Sequence, residues 1–159
     1  MGLLLAGLRP KHSQKPQLGA LYIQGSQVEV EELGPLYFDE RFESDIESIS
    51  DSANGLFIII ESKNESGKDM SLKLSFELSM AYRYLDEADL SYYWKTGLFS
   101  SRYHVYQILN GGWSNGEPRH KGVMVFTDAC KNKEYFIATS NGCMNVVSDN
   151  PPVIEILNI

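Results

Sequence analysis

The pentapeptide Gly112-Trp113-Ser114-Asn115-Gly116 matches G-x-S-x-G, the pattern that presents a nucleophilic serine. That chemistry needs a sharp strand-to-helix turn exposing the hydroxyl, a histidine base and backbone N–H groups for the oxyanion. Here Glu117-Pro118-Arg119-His120-Lys121-Gly122 follows, with proline and glycine where the helix would start. His120 is the one histidine downstream, and nothing leaves room for the usual acid-then-histidine order. The segment reads as a glycine-rich loop. No residue is assigned a catalytic role, and the expectation is a protein that is not an enzyme.

Metal and cofactor chemistry fare no better. His12, His104 and His120 are scattered, and neither histidines nor cysteines recur at ligand spacing. His104, inside an apolar segment, reads as a hydrogen-bonded structural residue. Asp86, Glu87 and Asp89 form a carboxylate group, which the first turn of a short helix explains through its positive dipole end. Phosphate-loop and dinucleotide fingerprints are absent, so neither a cofactor nor a metal is expected. Cys130 and Cys143 fall in strand-like segments and read as buried, reduced thiols.

Charge is the next signal. The net charge is -7, and it is unevenly placed. Between Glu29 and Asp51 lie nine acids against the single base Arg41, while the remaining residues carry 12 acids and 13 bases. Nucleic-acid binding needs a basic footprint and is therefore not expected. A basic protein partner is favoured instead. Aromatic residues crowd one region: Tyr82, Tyr84, Tyr92, Tyr93, Trp94, Phe99, Tyr103, Tyr106 and Trp113. Most should be core, and some are candidates for interface anchors. The candidate partner-binding residues are Glu40, Glu43 and Glu47 in the acidic segment, Asp86, Glu87, Asp89, Tyr93 and Trp94 beyond the long strand, and Trp113.

The elements that must position these residues follow from periodicity. From Leu72 to Tyr84 every even position is apolar or aromatic, which gives a strand one buried and one wet face. The run is longer than a usual strand, so a bulge, bend or break is expected within it. Leu56–Glu61 reads as its antiparallel neighbour across the polar loop Ser62–Asp69. Phe42, Ile46 and Ile49 are spaced i, i+4, i+7, so Asp39–Ser50 reads as either a short helix or an irregular acidic loop. Asp86–Trp94 reads as a short helix ending near Gly97. Tyr103–Leu109 reads as a strand, with Gly111-Gly112 as its exit. Gln27–Glu31 would pair with Ala20–Ile23. Gly122–Thr127, Tyr135–Thr139 and Cys143–Val147 would form a meander, with Asn141-Gly142 as a hairpin turn. Val153–Leu157 would close it as an edge strand after Pro151-Pro152.

Residues 1–19 read as a tail or weakly docked segment, and 20–159 as one β-rich domain. No apolar run reaches the ~18 residues that span a bilayer. The N-terminal stretch Met1–Pro10 lacks a basic n-region and a small-residue cleavage site, so a cytoplasmic protein is expected.

Beyond the long strand the order is Tyr82-Arg-Tyr-Leu-Asp-Glu87, Asp89–Trp94, a tyrosine-rich strand and Gly111-Gly112-Trp113. It closes on Tyr-Phe-Ile-Ala-Thr139, Val146-Val147-Ser148 and Pro151-Pro152. Over roughly residues 70–155 this resembles the small bacterial immunity proteins of polymorphic and contact-dependent toxin systems. The resemblance implies a small, acidic, cytosolic, non-catalytic protein that binds one toxin domain and blocks it. It assigns no role to any single residue.

The fold expected is α+β: an antiparallel β-rich curved sheet or partly open barrel with one or two short helices. The function expected is an immunity-like inhibitor of a basic toxin domain. Two other classes stay open. One is a small-ligand carrier or minor enzyme with the apolar face of Leu72–Tyr84 as its cavity wall. The other is a structural subunit of a homo-oligomer, a homodimer included.

Overall fold

The computed structural model describes residues 27–37, 43–100 and 102–157. The chain runs through β1 (Glu29–Leu33), β2 (Asp45–Ser52), β3 (Gly55–Lys63), β4 (Asp69–Phe76) and β5 (Ser79–Asp86). A helical stretch follows, made of a 3-10 turn Glu87–Leu90, α1 (Ser91–Trp94) and a second 3-10 turn Leu98–Ser100. Then come β6 (Val105–Asn110), α2 (Val125–Cys130), β7 (Lys133–Ala138), β8 (Gly142–Ser148) and β9 (Val153–Leu157). The strands make two sheets, ordered β1-β6-β7-β8-β5 and β2-β3-β4-β9. Their pairings are antiparallel. The fold is the β-rich α+β arrangement that the alternation implies, with two short helices and without barrel closure.

Three layers result. Leu56, Ile58 and Ile60 of β3 and Leu72, Leu74 and Phe76 of β4 pack between the sheets. They meet Val105, Tyr135, Ile137, Met144 and Val146 of the five-stranded sheet. The other face of that sheet is covered by the helical stretch: Leu90, Tyr93 and Phe99 pack on Tyr106, Ile108, Phe136, Ala138 and Cys143. The rings of Tyr93 and Phe136 stack at 4.9 Å. Strands covered on both faces read as unbroken apolar runs, which is why β7 and β8 lack the alternation of β4.

A polar tie joins the two sheets at one end. His104 is buried, as a hydrogen-bonded structural histidine should be. Its Nδ1 lies 2.8 Å from the Ala138 carbonyl, its Nε2 lies 2.7 Å from Ser62 Oγ on β3, and its ring stacks on Tyr37.

The long alternating run breaks at Glu77-Leu78, and its halves belong to different sheets. β4 has a partner only as far as Phe76↔Leu56, where β3 begins. A side chain on Gly55 (φ +114) would collide with the Phe76 carbonyl, so the chain ends pass with nothing between them. Beyond the break, β5 pairs with β8 on the edge of the second sheet. The even positions lose their cover there: Leu78 is 56% exposed, Tyr82 39% and Tyr84 50%. The run therefore does not present one continuous core face. Nor does it wall a cavity as a barrel would, because Leu72, Leu74 and Phe76 are sealed in the inter-sheet core.

Three other expectations are corrected. Ser44–Ser50 is neither helix nor acidic loop, since β2 begins at Asp45. A bulge between Ile46 and Ser48 lets Ile46 face Ile60 and Ile49 face Ile58, so two apolar residues three apart share one side of a strand. Gly122–Thr127 is not a strand. β7 already has β6 and β8 on its two edges, so no ladder is left for that segment, and Val125–Cys130 coils into α2. The meander reduces to the β7–β8 hairpin, and Cys130 is exposed rather than buried. On its one described side, β1 pairs with β6. The expected partner Ala20–Ile23, the tail over 1–19 and Glu40 all lie outside the described residues. β9 is an edge strand after Pro151-Pro152 as expected, but it lies beside β4 in the four-stranded sheet and not on the sheet of β7 and β8.

Phe76→Ala should cost about 3–5 kcal/mol in a chemical melt, the range for truncating a buried phenylalanine. Lys73→Ala, on the opposite face of β4, should stay within ~0.5 kcal/mol, and Tyr82→Ala should cost about 1 kcal/mol. A loss at Tyr82 equal to that at Phe76 would contradict the crossing between sheets.

Candidate functional site

On the outer face of the five-stranded sheet, three polar residues interrupt an otherwise apolar surface. Arg83 of β5 stands directly opposite Asn145 of β8, and Glu134 lies on the neighbouring strand β7. Glu134 is 1% exposed. A carboxylate so far from water must receive hydrogen bonds from the protein. Asn145 Nδ2 donates to its Oε1 at 2.7 Å. The backbone N–H of Trp113 donates to Oε1 at 3.0 Å and that of Ser114 to Oε2 at 2.7 Å.

The glycine-rich loop after β6 is thus a carboxylate cradle and not a nucleophile elbow. Its Ser114 is buried, and its turn sits between β6 and α2 without leading directly into a helix. A Cβ on Gly112 would lie 2.7 Å from Glu134 Oε2, so the glycine is required by close approach. The loop closes on itself: the Gly116 and Glu117 N–H groups donate to the Gly112 carbonyl at 2.7 and 2.8 Å. That closure delivers Glu117 to Arg83.

Arg83 commits most of its fork. Nε donates to Asn145 Oδ1 at 2.8 Å, Nη1 to Glu117 Oε2 at 2.7 Å, and Nη2 to Glu117 Oε1. The guanidinium also lies 4.9 Å from the centre of the Trp113 ring. Charge-assisted, two-pronged pairs of this kind fix position as well as energy. Tyr93 completes the set from the helical layer. Its hydroxyl donates to Glu117 Oε1 at 2.8 Å and accepts from Asn145 Nδ2 at 3.3 Å. Burial first, then the charges of Glu134 and Glu117, push the Tyr93 hydroxyl pKa far above its ordinary value, against the opposing pull of Arg83.

Above this floor opens a pocket of about 460 Å³. Leu85, Leu90 and Pro118 supply apolar wall, Tyr92 and Tyr93 aromatic wall, Arg83, Gly116 and Glu117 the floor, and Asp89 an exposed carboxylate. The Tyr92 and Tyr93 rings meet edge to face at 5.4 Å. A smaller polar pocket of about 320 Å³ lies on the four-stranded sheet, lined by Glu43, Glu61, Ser62, Lys63, Asp69 and Met70. Among the described residues no group of three metal-ligating side chains comes together.

The expected site residues divide between these places. Glu43 is exposed and pairs with Lys63 at 3.0 Å, and Glu47 is exposed at the bulge of β2; both belong to the four-stranded layer. Asp86 caps the 3-10 turn through the Ala88 N–H, and the Glu87 carbonyl accepts from Trp94 Nε1 at 2.6 Å. Trp94 is half-buried against Phe99 and Phe136, and Trp113 half-buried beneath Arg83. Tyr93 is corrected: its ring is 1% exposed in the stacked core, so it cannot be a surface anchor, and it serves the site through its hydroxyl. Arg83, Glu117, Glu134 and Asn145 were not anticipated. One signal pointed to them: Asn145 is the lone polar side chain in the apolar strand Cys143–Val147, and such a residue demands partners.

No helix among the described residues is long and apolar enough to cross a membrane.

Gly112→Ala should push the Glu134 carboxylate from its cradle and cost about 1.5–3 kcal/mol, the worth of a hydrogen bond to a charged group. Ser114→Ala keeps the N–H and should be nearly neutral. Equal losses in a urea melt would deny the cradle. The raised Tyr93 pKa also fixes a pH dependence. The unfolded tyrosine loses its proton above the ordinary value near 10 while the folded one keeps it, so stability falls as pH rises beyond that point. Tyr93→Phe should flatten this fall. The residual slope belongs to Tyr135, pushed up to about 12 by burial and then by the charge of Asp149. An unchanged slope in melts between pH 9 and 11 would overturn the assignment.

No family model, curated protein or solved structure matches the chain, so its function is read from this geometry alone.

Proposed function

We propose that the protein is a non-catalytic, cytoplasmic binding protein of the immunity type, which holds a basic toxin domain against the face around the larger pocket. The observation that supports this most is the pocket itself. It joins apolar and aromatic walls to an exposed carboxylate, over a floor whose side chains are locked by hydrogen bonds. Protein interfaces draw most of their affinity from a few anchors in such pockets. Acidic surroundings add fast association with a basic partner. Asp89 lines the pocket and Asp86 and Glu87 precede it in the chain, whereas Glu43 and Glu47 act only as distant steering charges on the other sheet.

A small-ligand carrier remains the second reading, favoured by one observation. The pocket volume falls within the range of about 300–1,000 Å³ usual for small-molecule sites. Its site would be this pocket on the outer face, lined by Arg83 and Leu85, and not the apolar side of Leu72–Phe76.

The test is stopped-flow binding to the partner captured from the source cells, at 0.01 and 0.15 M salt, where the Debye length shrinks from ~30 to ~8 Å. The variant Asp86→Asn/Glu87→Gln/Asp89→Asn should slow association markedly at low salt and change dissociation less. Glu43→Gln/Glu47→Gln should slow it only slightly. A tight partner whose on-rate ignores both salt and the first variant would remove the proposal.

A further inference from the structure

We infer that the larger pocket is a receptor for one cationic side chain, a lysine or arginine of the protein partner, inserted stem-first along its apolar wall. The inference rests on the basic-partner reading above and names the chemistry of its anchor.

Three features carry it. The first is the balance of charge. Arg83 is the only cation in the lining, and both oxygens of Glu117, the Asn145 carbonyl and the Tyr93 hydroxyl accept from four of its five N–H donors. An anionic ligand would have to displace Glu117, and with it the Tyr93 hydrogen bond. Asp89 is the remaining charge, and it is exposed with no hydrogen bond or ion pair among the described residues. A cation therefore meets an uncommitted carboxylate, whereas an anion meets a committed arginine.

The second feature is the aromatic wall. Tyr92, 43% exposed, supplies the ring, and it is braced edge to face, at an interplanar angle of 77°, on the buried Tyr93. Ring faces attract ammonium and guanidinium groups. The Tyr92 ring is held in place by its hydroxyl, which donates to the Gly111 carbonyl at 3.2 Å.

The third is the apolar stem path. Leu85, Leu90 and Pro118 give the methylenes of a long basic side chain a surface to lie on, as such side chains do when the head remains near water. A small hydrated inorganic cation has no use for that wall.

The experiment titrates the full chain with n-butylguanidinium, hexanoate and n-hexanol, followed by tryptophan fluorescence, since Trp113 lies against the floor. Butylguanidinium should bind and the other two should not. Asp89→Asn, on an exposed residue with no partner to lose, should weaken that binding about fivefold, what an exposed ion pair is worth at most. Tyr92→Leu should weaken it comparably and lower the melting temperature slightly for the lost Gly111 hydrogen bond, whereas Asp89→Asn should keep the wild-type melting temperature. Preferred binding of hexanoate, or butylguanidinium binding indifferent to Asp89→Asn, would overturn the receptor. The partner reading is scored separately. If butylguanidinium fails to compete with a captured partner whose association still depends on Asp86, Glu87 and Asp89, the anchor is wrong and the basic partner stands. If no partner responds to those charges, the basic-partner reading falls, and with it the assignment of the pocket to a partner's side chain, even where butylguanidinium binds as described.

Discussion

One buried carboxylate organises the functional half of this molecule. Glu134 lies in the middle strand of a sheet covered on both faces, where water cannot reach it. Its oxygens must be met by donors, and each donor imposes a further condition. Asn145 has to stand on the next strand. The loop after β6 has to fold back until two successive N–H groups point inward, which only a glycine at 112 permits. The same fold-back carries Glu117 over Arg83 and gives the Tyr93 hydroxyl its acceptor. An unmet buried acceptor costs more than the hydrogen bond gains, so the network is held together by what would be lost on opening it.

Where the sequence speaks of this fold clearly, the reason is a repeated local choice. The alternation Leu72, Leu74, Phe76 specifies a half-buried strand, and Leu56–Ile60 its neighbour, because every residue agrees with the period. Asn141-Gly142 specifies a hairpin and Pro151-Pro152 an edge. Each misreading arose where a single residue outweighs its surroundings. The bulge at Glu47 shifts the strand period by one, which makes Ile46 and Ile49 look like a helical pair. The halves of the 72–84 run keep one period through a change of sheet, because periodicity records which way a side chain points and not what covers it. The segment before α2 has strand-like residues, but both edges of β7, its expected neighbour, are taken by β6 and β8.

The site was less legible for a related reason. Arg83 and Glu134 are charged residues, which pattern alone sends to the surface. Their burial depends on a loop whose contacting residues are 34 positions from one and 20 from the other, and no local rule reports that. Glycines 112 and 116 were visible as a motif, but of the wrong chemistry: the pattern that presents a serine in one setting receives a carboxylate in this one. Of the carboxylates at 86–89, Asp86 caps a short helical turn, Glu87 and Asp89 lie on it, and Asp89 borders the pocket.

The crossing at Glu77-Leu78 has a consequence for how the molecule opens and closes. One covalent strand supplies a rung to each sheet, with β4 inside the first and β5 at the rim of the second. Neither sheet can peel away without dragging the other's hydrogen-bonded rows, and the Ser62–His104 contact pins them again at a distant corner. Partial openings that would expose one sheet alone are thereby disfavoured, and slow amide exchange should be lost from both sheets together. Arg83 lies seven residues beyond Phe76, the last ladder position of β4, on the same continuous stretch of chain, so a disturbance deep in the inter-sheet core has a short backbone path to the pocket floor.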